Sequence, residues 1–162
     1  MTNYTHPHRF NIVLNSQQSA LGTNTNDLYY EFNWTNIPQG KYEMSFSFLA
    51  QNNTDYVAND CPQVFLSLGC VPSVYQASNL NGSIISLFIG NLRAQSHTGT
   101  QVNFYANTND NPNVFFNNLP TSGPIRVQVF QDDFTTPFVT SVGGLDLAEY
   151  VLVLSFQKVG DN

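Results

Sequence analysis

The sequence predicts an all-β protein, a single jelly-roll β-sandwich of about eight to ten antiparallel strands. Three observations favour this fold class. Apolar residues recur at every second position, turn-forming residues separate the runs, and helical periodicity is almost absent. The chain of 162 residues has the length of one domain and can bury a large core. We therefore predict one domain over residues 1–162, with no repeat and no linker.

The clearest alternation lies in two runs separated by an Asn/Pro/Gly turn. Residues 28–34 place Leu, Tyr, Phe and Trp on one face, and residues 41–50 place Tyr, Met, Phe and Ala on one face. A period of two is expected for a strand with one buried and one wet face. Further strands are predicted at residues 9–14, 64–68, 83–89, 102–106, 113–116 and 125–129.

The last apolar run, residues 150–156, reads Tyr-Val-Leu-Val-Leu-Ser-Phe and is apolar on both faces. Such a run is typical of a central strand in a packed sandwich, or of a strand covered by a neighbouring subunit. Between the runs, Asn81-Gly82 indicates a type I′ hairpin. Residues 107–113 and 120–124 have the composition of loops, and a short helical turn is predicted around residues 145–149.

Charge is scarce and mostly acidic. The chain has 5 basic and 11 acidic residues, a net charge of −6 and an isoelectric point near 4.6. Nucleic-acid binding through phosphates needs a basic face, so direct contact with nucleic acid is not expected. No run of about 18 apolar residues occurs, so no membrane-spanning helix is predicted.

The N-terminus and the two cysteines both indicate a protein made in the cytosol. Residues 1–9 lack the basic and apolar regions of a secretory signal, so the Asn-x-Ser/Thr sequons are expected to stay unglycosylated. Cys61 and Cys70 flank a predicted strand, which holds them too far apart for a disulfide and predicts free thiols. The cysteines and histidines do not have the spacing that is usual for zinc ligands, so a zinc site is only a weak alternative. The three sequons begin at Asn33, Asn52 and Asn81.

No motif for a known reaction occurs in the chain. There is no GxSxG, HExxH, P-loop or GxGxxG sequence. His6 and His8 lie in the N-terminal segment, where they are expected to be exposed, and His97 lies in a loop by composition. We therefore predict that the protein is not an enzyme, with no catalytic residue, no cofactor-binding residue and no metal ligand.

Two weaker interpretations concern loops and aromatic residues. Acidic residues after one predicted strand and before the last one would hold Ca²⁺ if those strands were neighbours, but a solvated loop rim is the simpler interpretation. Four tyrosines outside the main alternation are candidates for stacking on sugars. The acidic residues are Asp132, Asp133, Asp146 and Glu149, and the tyrosines are Tyr29, Tyr56, Tyr75 and Tyr105.

The low charge also bears on association. Only 10% of residues are charged, whereas Asn, Gln, Ser and Thr are abundant and some strands are apolar on both faces. Protein interfaces are depleted in charge at their centres and enriched in aromatic residues. The composition therefore predicts assembly with itself or with partners, unless it reflects a simple compositional bias.

The strand pattern resembles single jelly-roll capsid proteins of large icosahedral double-stranded DNA viruses, in their penton and minor-capsid roles. The resemblance rests on residues 28–34 and 41–48 as paired amphipathic strands joined by the turn, and on the ending 150–157. It covers most of the chain as a pattern, without a motif specific to that family. The acidic charge without a basic arm departs from a genome-contacting capsid protein, and favours an outer-shell position.

The resemblance implies a structural protein located in the virion after synthesis in host cytoplasm. Its partners would be itself, in a closed ring such as a pentamer, and other capsid proteins. Residues 1–9 are predicted to form a flexible arm that reaches a neighbour. The alternative is a carbohydrate- or receptor-binding module of the lectin or TNF type. A cupin-like enzyme is less favoured, since none of the three histidines falls inside a clear strand.

Overall fold

The computed structural model describes residues 9–18, 26–51, 63–69, 75–78, 84–96, 102–131, 137–138 and 149–161. Within these ranges the regular structure is β-strand, apart from two short 3₁₀ helices at Ser16–Gln18 and Trp34–Asn36. The strands are β1 Arg9–Asn15, β2 Asp27–Tyr30, β3 Lys41–Gln51, β4 Gln63–Leu68, β5 Tyr75–Ser78, β6 Ile84–Phe88, β7 Gly90–Ser96, β8 Val102–Ala106, β9 Val114–Phe116, β10 Ile125–Phe130 and β11 Tyr150–Gly160.

The strand order is that of a jelly roll. One hydrogen-bonded path runs β1-β11-β3-β8-β7-β4-β10-β2, with β9 beside β3 and with β5 and β6 forming a separate hairpin. The eight strands of the path pair first with last, second with seventh, third with sixth and fourth with fifth. A long antiparallel ribbon wound around a core produces this order, in two halves: β1-β11-β3-β8 and β7-β4-β10-β2. The predicted all-β jelly-roll fold is confirmed.

The alternation of apolar residues corresponds to alternation of burial. In β10, Ile125, Val127 and Val129 are fully buried, and the residues between them are half-buried. In β3, every second residue from Tyr42 to Ala50 is buried. Because successive side chains point to opposite faces, both halves send one row per strand into a shared core.

The last strand is central, as its composition predicted. β11 lies between β1 and β3, and pairs with both along its length. Val153 is level with Val13 on one side and with Ser47 on the other. The inward residues of β11 are buried, whereas Val151 on the outward face is 40% exposed. The second apolar face of this strand therefore points out of the molecule.

The predicted strand at residues 28–34 is too long. β2 ends at Tyr30, and a 3₁₀ turn begins at Trp34. The side chain of Asn33 accepts hydrogen bonds from the backbone N and the hydroxyl of Thr35, at 3.0 and 2.6 Å, which favours a turn over a ladder. Trp34 is still buried, and its indole N–H donates to the carbonyl of Gly123. The alternation of apolar residues in the sequence therefore continues past the end of the strand, which is why the predicted strand was too long.

The expected pairing of residues 28–34 with residues 41–48 is also wrong. β2 pairs with β10, whereas β3 pairs with β11, β8 and β9. The Asn/Pro/Gly connection thus leads from one half of the jelly roll to the other and does not close a hairpin. Gly40 in this connection has φ +153°, and a Cβ there would lie 2.8 Å from the carbonyl oxygen of Gly160. A side chain at this position would collide with the end of β11.

The other boundaries differ by small amounts, and two strands, β5 and β7, were not predicted. Arg9, assigned to the predicted arm, is the first residue of β1 and is level with Gln157. Residues 1–8 lie outside the described residues, so the arm stays a prediction. β7 was not predicted, because its sequence Gly-Asn-Leu-Arg-Ala-Gln-Ser has only weak alternation. The Asn81-Gly82 hairpin and residues 145–148 of the predicted helical turn also lie outside the described part.

Candidate interaction surface

The exposed large apolar side chains lie together on one side of the molecule. Among the residues whose side chains the structure describes there are five of them, and all lie on β1, β11, β3 and β9. The exposed fractions reach 62% at Val13, 58% at Leu49 and 62% at Phe115. The remaining two are Val151 and Val159 of β11. Exposed apolar patches on soluble proteins are often interaction sites, so this concentration makes the face a candidate contact surface.

The strand register aligns these residues in rows across the sheet. One row runs from Asn15 through Val151 and Leu49 to Tyr105, and a second runs from Val13 through Val153 to Ser47. A third row contains Asn11, Ser155 and Ser45. None of these ten side chains carries a charge. We refer to the outward side chains of these three rows as the neutral face.

Among the described residues of these strands, charged side chains lie at the borders of the neutral face. The next row places Arg9, Gln157 and Glu43 side by side on β1, β11 and β3. The carboxylate of Glu43 accepts a hydrogen bond of 2.9 Å from the side-chain amide of Asn113. Phe115 lies opposite Glu43 on β9 and extends the apolar surface past the charges. One cation and one anion thus lie on either side of the uncharged residue Gln157 of the central strand, each one strand away.

Two shallow depressions open on this side of the sheet. The larger, of about 450 Å³, lies between β11, β3 and β8, and its walls include Leu49, Tyr105 and Val153. The smaller, of about 210 Å³, lies beside Arg9 and Glu43. Both are wide and open, unlike the enclosed clefts that hold small substrates. Their shape fits a broad protein contact better than a small ligand.

The outer face of the opposite half combines an ion pair with aromatic rings of β4 and β10 that pack against Phe88 of β6. The guanidinium of Arg126 makes two hydrogen bonds to the carboxylate of Asp27, at 2.9 and 2.7 Å, and lies 5.0 Å from the centre of the Tyr29 ring. The hydrogen bond to Asp27 raises the pKa of Arg126. The Tyr29 ring, which the sequence offered as a sugar platform, therefore already has a cation on it. The outer face of this half therefore carries charged side chains, whereas the neutral face carries none.

A buried pair of tyrosines lies in the core beneath the neutral face. The hydroxyl of Tyr30 donates to that of Tyr150 at 3.1 Å, and both side chains are at least 95% buried. Burial raises the pKa of Tyr30, and burial together with Tyr30 raises the pKa of Tyr150 further. The backbone N–H of Tyr150 donates to the hydroxyl of Ser16, 2.9 Å away. This hydrogen bond joins β2 in one half of the jelly roll to β11 in the other.

This pair predicts a loss of stability at high pH. The ordinary tyrosine pKa is 10.0, and both folded values lie above it, so the unfolded chain releases protons first. The pair therefore makes its whole contribution to stability below about pH 10. Above that pH, the free energy of unfolding falls by about 1.4 kcal/mol per pH unit for each tyrosine. We expect the double variant Y30F/Y150F to lose stability less steeply in urea unfolding above about pH 10. An equal slope in the variant and the parent would contradict this assignment.

The other residues considered from the sequence are not brought together in the described structure. Glu149 accepts a hydrogen bond from the side-chain amide of Gln17. Tyr105 lies on the neutral face, and Tyr75 lies in β5, with its side chain outside the description. The described residues contain no group of three His, Cys, Asp or Glu side chains that could hold a metal. Outside the described residues lie Tyr56, Asp132, Asp133, Asp146, His6, His8, His97, Cys61 and Cys70.

Comparison with known proteins adds no family assignment. No protein-family model matches the chain, and no curated protein matches it in sequence. Within the described residues, no helix is long and apolar enough to cross a membrane. The case for a function therefore depends on the fold and on the neutral face.

Proposed function

We propose that this chain is a structural virion protein, a penton or minor-capsid component that associates with itself or cements the outer shell of an icosahedral virus. In this role the protein acts through shape and buried area. Its partners are copies of itself, in a closed ring such as a pentamer, and other capsid proteins. Residues 1–8 would serve as the arm that reaches a neighbour.

The neutral face is the observation that carries this proposal. It gathers apolar side chains onto one outer surface of a chain in which 10% of residues are charged. Exposed apolar patches on soluble proteins usually mark interaction sites, and interface centres are poor in charge. A shell protein needs such contacts, and the jelly roll supplies a rigid scaffold for them. Fold alone does not determine function, so the resemblance to capsid proteins supports the proposal by analogy.

The native mass of the purified chain tests the proposal. We expect light scattering on a sizing column to give a closed oligomer, with a pentamer as the result that favours the penton role. A trimer would favour a TNF-like or trimeric arrangement instead. A monomer at every concentration would contradict self-association and leave only a cementing role with other proteins as partners.

A groove at one end of the molecule favours a second candidate, carbohydrate binding. Its walls include Glu31, Phe32 and Asn33 on one side and Thr121 and Ser122 on the other, around a volume of about 410 Å³. Acid, amide and hydroxyl groups beside a half-buried aromatic ring are typical of sugar sites. A panel of glycans, tested with and without Ca²⁺, should raise the melting temperature if this function is real. No shift with any glycan would count against it.

A further inference from the structure

We propose that the neutral face binds the same face of a second copy of this chain, stacked sheet on sheet about a two-fold axis that runs along β11. This inference rests on the proposed self-association and names its surface and geometry. The occupant is a second copy because the face is uncharged, and because the two opposite charges that flank it face each other when a second copy is turned through 180°.

The area of the face is enough for a weak contact. Three strands about 4.8 Å apart and seven residue positions about 3.4 Å apart, counted from the charged row to the last neutral row, give a flat footprint of roughly 350 Å². Side chains that stand out of this plane increase the accessible area, and Phe115 and Val159 extend it at one end. Stable interfaces at the small end bury about 600 Å² per partner. The face is smaller than that, so we expect weak association that depends on concentration.

The distribution of charge selects this face for contact between copies. The chain has a net charge of −6, so two copies repel each other over most approaches. The three central rows contribute no charge to that repulsion. Valine and leucine side chains there would leave water on contact, at about 25 cal/mol for each Å² of apolar area. Contact between copies is therefore least opposed and most rewarded at the neutral face.

The flanking charges specify the rotation axis. Arg9 and Glu43 lie on either side of Gln157, on the strands that neighbour β11. Rotation by 180° about a line along β11 exchanges the positions of these two strands. In the stacked pair, Arg9 of one copy then faces Glu43 of the second copy, and the same ion pair forms twice. Val151 and Val153 lie on the axis and face their own counterparts.

A single substitution on the axis tests the contact. V151E places two carboxylates opposite each other, and we expect the dissociation constant in sedimentation equilibrium to rise about a hundredfold. The matched control S67E adds the same charge to the outer face of β4 on the opposite half, and it should leave the constant unchanged. Circular dichroism and the melting temperature establish that both variants are folded. Equal association in V151E and the parent, or a parent that stays monomeric, would overturn the inference.

Charge reversal tests the axis itself. R9E alone and E43R alone each place like charges opposite one another, and each should weaken association by about tenfold. The double variant R9E/E43R restores both ion pairs with reversed polarity, so its association should return toward the parent value. A double variant that associates as poorly as the singles would overturn the two-fold geometry.

The inference and the proposed function fail in distinguishable ways. A two-fold contact of identical faces cannot by itself close a five-fold ring. If the parent forms an oligomer that V151E leaves intact, self-association stands and the neutral face is not its contact. If V151E dissociates a dimer to folded monomers while S67E does not, the two-fold contact and self-association stand, and the closed five-fold ring does not.

Discussion

Replacing Phe156 with alanine should lower the free energy of unfolding by about 3–5 kcal/mol. Phe156 is 2% exposed and lies at the centre of an aromatic cluster beneath the sheet. Its ring stacks on that of Phe10, with centres 4.7 Å apart, and is 5.6 Å from that of Phe116. Trp34 and Tyr42 approach its edge at 6.3 and 6.5 Å. Truncation would leave a cavity among four large rings, which cannot close without moving several strands.

Phe115 provides the matched control for this substitution. It is the same residue type, one position before Phe116 in β9, but its side chain is 62% exposed. At concentrations that keep the chain monomeric, F115A should change the unfolding free energy by less than about 0.5 kcal/mol. Urea unfolding followed by tryptophan fluorescence measures both. Similar losses for F156A and F115A would mean that the inward and outward faces of this sheet are wrongly assigned.

Replacing Asn111 with alanine should cost about 2–3 kcal/mol, the second largest loss we expect. The Asn111 side chain is almost fully buried and holds the start of β7 from the loop after β8. Its amide nitrogen donates to the carbonyl of Asn91 at 3.1 Å, and its oxygen accepts from the N–H of Asn91 at 2.9 Å. Gly90 makes room for this contact, since a Cβ there would lie 2.6 Å from Asn111. Glutamine is the other residue type whose side-chain amide both donates and accepts in this way, but its side chain is longer.

Asn109 in the same loop is the control for Asn111. Its side chain is exposed, so N109A removes the same group without breaking a bond to β7. We expect its midpoint of thermal unfolding to match that of the parent, while that of N111A falls by several degrees. If N111A unfolds at the parent temperature, the two hydrogen bonds to Asn91 do not hold the loop.

The fold class could be predicted because its signal is local. Alternation in residues 41–50 and 125–129 follows directly from the requirement that each strand bury one face. Strand pairing is not local: β1 pairs with β11, more than a hundred residues away in the chain. Residues 28–34 and 41–48 are adjacent in the sequence, and the pattern therefore predicted that they pair as a hairpin. The winding of the jelly roll instead places β2 and β3 in different halves. The end of β2 was missed because one side chain, Asn33, competes with the ladder.

The neutral face was only partly visible in the sequence. The apolar residues on both faces of 150–156 indicated an outer surface that needs a cover, which agrees with the exposure of Val151. Val13 and Leu49 gave no such signal, because each looks like an ordinary member of an amphipathic strand. They become part of one surface only when the register aligns β1, β11 and β3. The ion pair of Asp27 with Arg126 likewise depends on the pairing of β2 with β10.

The central claim is that the neutral face is buried when the protein associates, while the opposite outer face stays in water. Hydroxyl-radical footprinting at low and high protein concentration tests this claim directly, because it reports the solvent access of individual side chains. We predict that Leu49 and Tyr105 become protected as concentration rises, whereas Tyr29 on the opposite half keeps its reactivity. Protection of the opposite half, or no change at Leu49 in a sample that has associated, would contradict the account.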